Sequence, residues 1–270
     1  MSWKQNVATN FDSNSQFYDR ESQIQKVVAE TLIADLPEGR EAEKIENILE
    51  IGCGTGYLTK LLFEKYENKN ICISDISPSM TVRAQMSGQD IAKAQGHTTR
   101  WAVFDAEKPP TAMTGKYDLI VANMVFQWLE DAEKGIERLT NLLKPGGRII
   151  YSTLGPDSFE EWKTVLRKLE LPIGILDFDM PRDVYKEEFL IKSYEDAYSF
   201  LHSIKDIGAG QARKGYKQLT MVQLRDACDE FNKKYDTSVT WHILYGNVKR
   251  KERGIVDRLR KLGSKKANES

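Results

Sequence analysis

The sequence predicts an α/β protein built on a doubly wound, largely parallel sheet. Three observations predict it. Short apolar runs alternate with segments of helical periodicity from residue 47 to 154. A glycine-rich turn follows the first of these runs. An acidic residue closes each of the next two.

The elements follow in chain order. Residues 15–36 read as one helix, with Ile24, Val27, Val28, Thr31 and Leu32 on one face, ended by Pro37 and Gly39. NILEI (47–51) is the first strand, and Thr55 to Tyr66 a helix with Leu58, Leu61 and Leu62 on one face. NICIS (70–74) is the second strand. A helix over Pro78 to Met86 follows, with Ser77 as its cap and Pro78 at its first position. TRWAVFD (99–105) and YDLIVAN (117–123) are the third and fourth strands. Asp131 to Leu143 is helical, KPGG (144–147) is a turn, and RIIYSTL (148–154) is the fifth strand. Residues 156–200 are rich in charge and aromatics and show no clear strand. Two helices are expected there, near 157–169 and 193–205, around an irregular stretch at 171–190. A helix at 221–235 and a strand at 238–250 close the pattern. The expected divisions are a helical lid (1–40), a core (41–155), a helical insertion (156–205), the rest of the core sheet (206–250) and a basic tail (251–270).

Composition narrows the functional classes. With 40% hydrophobic and 29% charged residues the chain reads as globular, and a net charge of −1 gives no reason to expect a nucleic-acid partner. Residues 249–270 carry nine Lys/Arg against three Asp/Glu, either a solvated helix or a surface for an acidic partner. Cys53, Cys72 and Cys228 have neither paired nor metal-ligand spacing, so no metal is expected. The first 16 residues lack a signal-peptide core, and the most apolar stretch (119–129) is too short to span a bilayer. The expectation is a cytoplasmic protein without a membrane partner.

The segment ILEIGCGTGYLTKLL carries the chemistry. Gly52, Gly54 and Gly56 follow a strand that ends in Glu50, and a helix begins. Glycines let the chain turn sharply and let a ligand approach the backbone. Dinucleotide folds use G-x-G-x-x-G, with a third small residue for helix–strand packing. Here the spacing is G-x-G-x-G, and Tyr57 stands where that fingerprint wants Gly or Ala. An acid just before the loop repels phosphate and attracts an ammonium group. The pattern therefore suits a ligand with a cationic amino-acid end and no phosphate. Asp75, 19 residues after Gly56, can accept from both ribose hydroxyls. Asp105, followed by Ala106, can accept from the exocyclic amine of adenine. Each acid alone is equally readable as a turn or cap residue. Three of them in register with one glycine loop point to a site.

These residues resemble the class I S-adenosylmethionine-dependent methyltransferases, from about 47 to 154. The segments concerned are E-x-G-x-G-x-G, Asp75, FDAEKPP and the YDLIVAN strand before KPGG. That resemblance implies a Rossmann-like seven-stranded sheet whose last strand, 238–248, runs antiparallel. It implies S-adenosyl-L-methionine as cofactor, with Ile76, Met80, Asn123 and Gln127 completing the binding set. A narrower resemblance covers nearly the whole chain. FDSNSQFYDRESQIQ, ANMVFQWLED, STLGPDSFEEW, FLHSIKDIGA and TWHILYGNVKR are similar to the malonyl-acyl-carrier protein O-methyltransferases (BioC) of biotin synthesis.

The family resemblance implies methylation of the free carboxylate of malonyl-acyl-carrier protein. His202 and Lys205 are the candidates for orienting that carboxylate, with Arg182 and Lys186 behind them; each also reads as a surface charge. His202 stands where members often carry Arg. Tyr18 is a candidate lid over the cofactor or a core aromatic. Trp128, beside Gln127, meets substrate or is plain core. The carrier is expected to be acidic and to dock on Lys163, Arg167, Lys168, Lys186 and Lys192, or on the tail. Three other readings share some of these features. One is a methyltransferase acting on a small molecule, such as a quinone precursor or free polyacid. The second is a non-catalytic cofactor-binding protein. The third is an NAD-dependent oxidoreductase, which Tyr57 and the glycine spacing disfavour.

Overall fold

A computed structural model of the chain describes residues 22–175, 178, 180, 181, 183–204 and 216–252. Seven described strands form one sheet in the order β3-β2-β1-β4-β5-β7-β6. The strands are β1 (Asn47–Ile51), β2 (Asn70–Asp75), β3 (Thr98–Val103), β4 (Tyr117–Asn123), β5 (Leu143–Leu154), β6 (Val184–Ser193) and β7 (Ser238–Lys249). The first five are parallel, and β7 runs antiparallel to both β5 and β6. The expected sheet and its antiparallel last strand are therefore present.

The helices are α1 (Gln23–Ala34), α2 (Gly39–Glu43), α3 (Tyr57–Lys65), α4 (Pro78–Ala94), α5 (Ala132–Thr140), α6 (Glu160–Lys168), α7 (Ala197–Ile204) and α8 (Met221–Tyr235). One face of the sheet packs on α1, α3, α4, α6 and α8, with Ile48, Ile71, Ile73, Val121, Ile150 and Tyr245 beneath them. The other face packs on α5 and short turns, over Leu49, Ile51, Ile120, Ala122 and Ile149. This two-sided cover explains why the central strands read as unbroken apolar runs.

The local signals act as expected at several boundaries. The Ser77 hydroxyl accepts from the Met80 amide at 3.1 Å, with Pro78 at the first helical position. Asp131 caps α5 through the Lys134 amide. Thr220 and Gln223 form a reciprocal capping box on α8.

Four details depart from the sequence reading. Helix α4 runs on to Ala94 because Ala84, Gly88 and Ala92 continue a buried face. In α1 the buried stripe is Ile24, Gln25, Val28, Ala29 and Leu32, whereas Val27 is 44% exposed. KPGG belongs to the start of β5, where the register to β4 shifts and Gly146 takes φ +84°. Finally, 184–193 is a strand, although no strand was legible in 156–200. Among the described strands it lies at the sheet edge, paired to β7 alone, and alternates half-buried with exposed positions over charged residues.

Among the described residues no helix is long and apolar enough to cross a membrane.

Candidate active site

The glycine loop sits where β1 ends and α3 begins, at the carboxyl ends of the parallel strands. Open sheets of this kind bind ligands there. Gly52, Gly54 and Gly56 take φ of +68°, +53° and +95°, which L-residues with a Cβ rarely adopt. Space is closed as well. A Cβ on Gly52 would lie 2.4 Å from a methyl of Val125, and one on Gly56 would lie 2.8 Å from the Cα of Ala84.

Gly56→Ala therefore combines left-handed strain with a clash against backbone. The expected loss of stability is about 2–4 kcal/mol, read from urea unfolding. Gly115→Ala is the control, with φ +68° and open space around the new methyl, and should cost about 1 kcal/mol. Equal costs at the two positions would remove the packing half of this argument.

Asp75 does more than its place in the sequence suggested. One carboxylate oxygen accepts from the Gly54 amide and the other from the Ser77 amide, both at 2.9 Å. The acid thus ties the glycine loop to the start of α4. Asp105 accepts from the Glu107 amide at 2.9 Å, fixing the turn after β3, with Ala106 buried behind it. Met80 is buried in the first turn of α4, and Ile76 is half-buried beside it.

Glu50 is the site's electrostatic centre. Its side chain is fully buried, and among the described residues neither carboxylate oxygen has a hydrogen-bond partner. Burial is the chief reason its pKa is pushed up to about 8; Asp75 nearby adds to the rise, and the Thr59 hydroxyl offsets part of it. At neutral pH the ligand-free site therefore holds a mostly protonated acid. A cation delivered to this place would recover the charged form.

Asn123 ends β4 on the same face. Its amide donates to the Gln25 carbonyl at 3.0 Å, and its oxygen accepts from Ser152 at 2.7 Å. Gln127 accepts from Thr153 at 3.1 Å, and half-buried Trp128 closes the same short turn. Tyr57 points away from the loop and onto α1, donating to Glu30 at 2.5 Å with Lys26 over its ring.

The fold thus gathers Glu50, Gly52, Gly54, Gly56, Asp75, Ile76, Met80, Asp105, Ala106, Asn123 and Gln127 around the carboxyl ends of β1 to β4. The set matches the chemistry expected of the ligand. It offers an orphaned buried acid for an ammonium group, a backbone cradle that a Cβ would fill, and further acids at the ends of β2 and β3.

A family model described as a methyltransferase domain matches residues 49–149. Malonyl-acyl-carrier protein O-methyltransferase 2 of Ilyobacter polytropus is 30% identical over 261 residues, covering 90% of this chain and 96% of that protein. The chain belongs to this methyltransferase family. The bifunctional biotin biosynthesis protein BioCD of Bordetella avium is 31% identical, and the match covers 92% of this chain and 53% of that protein. The chain thus spans about half of that two-activity relative. In fold, the YcgJ protein of Bacillus subtilis superposes with a TM-score of 0.52 at 15% identity, over 77% of this chain and 93% of that one.

The substrate side of this methyltransferase is less complete. Tyr18, Arg182 and Lys205 lie outside the described residues, as does the tail beyond Glu252. His202 is exposed on α7. Lys186 is exposed, with its ammonium 5.0 Å from the centre of the Tyr245 ring. Arg167 and Lys168 are exposed and paired with Glu160 and Glu230. Lys192 lies over Tyr194. Lys163 corrects the sequence reading. It is 5% exposed, and its ammonium donates to the Pro156 carbonyl, so it cannot serve a docking surface.

Sequence reasoning missed Gln25, Thr59 and Ser152 at the site. A signal did exist for Gln25: a polar residue within the apolar stripe of α1. Ser152 and Thr59 became legible only through their neighbours.

Proposed function

We propose that this chain transfers a methyl group from S-adenosylmethionine to the free carboxylate of malonyl-acyl-carrier protein. The product would be the methyl ester that begins pimeloyl synthesis for biotin. The observation that carries the reading is the match to a malonyl-acyl-carrier protein O-methyltransferase along almost its entire length, well beyond the shared cofactor core. The three cysteines are free and buried, which suits a reducing, cytoplasmic setting.

When bound, S-adenosylmethionine supplies a sulfonium methyl that an acceptor oxygen takes in line, leaving the bonding electron pair on sulfur. The chain's own residues bind and align. Glu50 meets the ammonium of the methionine end, Asp75 the ribose hydroxyls, and Asp105 the adenine amine. The glycine loop lets the ligand lie against the backbone. A malonyl carboxylate is ionised at neutral pH, so no side chain has to take a proton. Opposite charges cancel in the transition state, so a dry, aligned site accelerates the step. Tyr18, His202, Lys205 and Trp128 are the residues assigned to covering the cofactor and orienting the carboxylate.

Intact-mass analysis of malonyl- and acetyl-carrier protein, each incubated with enzyme and cofactor, tests the reading. Gain of one methyl on the malonyl form alone is expected. No gain, with S-adenosylhomocysteine still binding, would overturn the substrate and leave a methyltransferase of small acids.

Docking is assigned to Arg167, Lys168, Lys186, Lys192 or the basic tail. Turnover of carrier-bound substrate should then fall as salt shortens the Debye length from about 10 Å at 0.1 M to about 3 Å at 1 M. A rate flat across that range would remove the electrostatic docking surface.

A further inference from the structure

Helix α1 carries a feature that neither packing nor the family match explains. Gln25 is only 8% exposed, and its side-chain oxygen is fully buried with no hydrogen-bond partner among the described residues. Glutamine is rarely buried, and an unsatisfied buried amide costs about 1–3 kcal/mol. Ala29 and Val28 show that this stripe of α1 is otherwise apolar, so a Leu would pack there without the penalty.

The orphan is not isolated. Among the described residues, the buried side-chain oxygens lacking partners include Gln25 Oε1, both oxygens of Glu50 and the Thr59 hydroxyl. The elements that carry these residues meet near the end of β4. Glu50 is in register with Val121 on β4, and Asn123 lies two residues further along the same face. Asn123 donates to the backbone carbonyl of Gln25, which pins this turn of α1 over the end of β4. Thr59 is on the first turn of α3 and faces Glu50. Three elements that meet near the carboxyl ends of β1 and β4 thus each carry a buried oxygen without a partner among the described residues. An anionic ligand, which offers only acceptors, would leave them unsatisfied. An ammonium, with three N–H donors, would satisfy several at once.

We propose that Gln25 is a cofactor-binding residue whose side-chain oxygen accepts a hydrogen bond from the α-ammonium of the methionine end, alongside Glu50. This rests on the S-adenosylmethionine reading above. It also gives the first helix a role: α1 is the wall that completes the ammonium pocket. The helix is held in place through Tyr57 to Glu30 and Asn123 to Gln25.

The test is calorimetric binding of two ligands to the full chain and to Gln25→Leu, which keeps the volume and removes the acceptor. S-adenosylhomocysteine carries the amino-acid end, and 5′-methylthioadenosine lacks it. Loss of one charge-assisted hydrogen bond should weaken S-adenosylhomocysteine about tenfold and leave methylthioadenosine within about twofold. Gln25→Glu, which retains an acceptor, should bind S-adenosylhomocysteine more tightly than Gln25→Leu. It also serves as the working variant if Leu prevents folding, and must then keep the wild-type preference for S-adenosylhomocysteine over methylthioadenosine. Equal loss of both ligands would assign Gln25 to structure alone and overturn the proposal, as would no loss of either. If the unaltered protein bound neither ligand, the cofactor reading itself would fall.

Discussion

Glu50→Gln should make the ligand-free protein more stable at pH 8 while removing most of its affinity for S-adenosylhomocysteine. The two effects share one cause. Glu50 has a pKa of about 8 in the folded chain against 4.5 for the unperturbed group. Below pH 4.5 both states hold the proton and the difference vanishes. Between pH 4.5 and 8 the unfolded chain has already released its proton while the folded chain keeps it. Folding then takes up a proton, and stability falls as pH rises, up to about 1.4 kcal/mol per unit. Above pH 8 the loss is complete. Glutamine does not titrate, so the variant's stability should stay flat through that window where the parent's declines. Urea unfolding at pH 5, 6.5 and 8 reads the difference directly.

Binding moves the other way. An ammonium beside Glu50 favours the carboxylate, so at pH 7 ligand binding should release close to one proton. Calorimetry in two buffers of different ionisation enthalpy counts it. In the variant that release disappears, and the lost charge-assisted bond weakens binding by about 1.5–3 kcal/mol, roughly 10- to 150-fold. Unchanged affinity together with unchanged proton release would show that Glu50 is a structural acid and that the ammonium lies elsewhere.

Trp162→Ala should cost about 3–5 kcal/mol of stability, which is comparable to the whole margin of many domains. Trp162 is 4% exposed on α6 and meets the rings of Phe200 and Phe231 edge to face, with centroids 6.3 and 5.8 Å away. Phe159 joins the same cluster from a left-handed backbone conformation, with its ring 4.7 Å from Trp241 on β7. The segment after β5 is therefore joined to the sheet through one aromatic core. Thermal unfolding of the variant should shift in a single step together with the rest of the protein. A cost below 1 kcal/mol, or a separate early transition, would mean that α6 rests on the core as an independent flap.

The cofactor half of the protein was legible because its signals are local. The first five strands are short apolar runs between glycines, prolines and capping residues; the first four were placed closely, while β5 begins at Leu143, ahead of the expected start. The G-x-G-x-G spacing, with acids at the ends of three strands, specifies a site because strand ends and turns are adjacent in sequence. Even there the roles were only partly visible. Asp75 could be read as a ligand acceptor, but not as the residue that holds Gly54 and Ser77 together.

Burial and pairing between distant segments could not be read the same way. Strand β6 exists because β7, some fifty residues later, offers it a partner. Its own sequence, with Lys186, Glu187 and Glu188, carries the charge of an edge rather than the pattern of a core. Lys163 looked like a surface cation until the Pro156 carbonyl took its ammonium. Gln25 looked like one polar residue of a helix until α1 was laid over β4. A one-dimensional pattern records what each residue prefers. Whether a buried carboxyl, amide or ammonium finds a partner depends on which helix covers which strand end. The sequence by itself determined the parallel strands, the antiparallel last strand and the glycine loop, and it pointed to the class of ligand. Only the tertiary structure decided which polar groups were left for that ligand to satisfy.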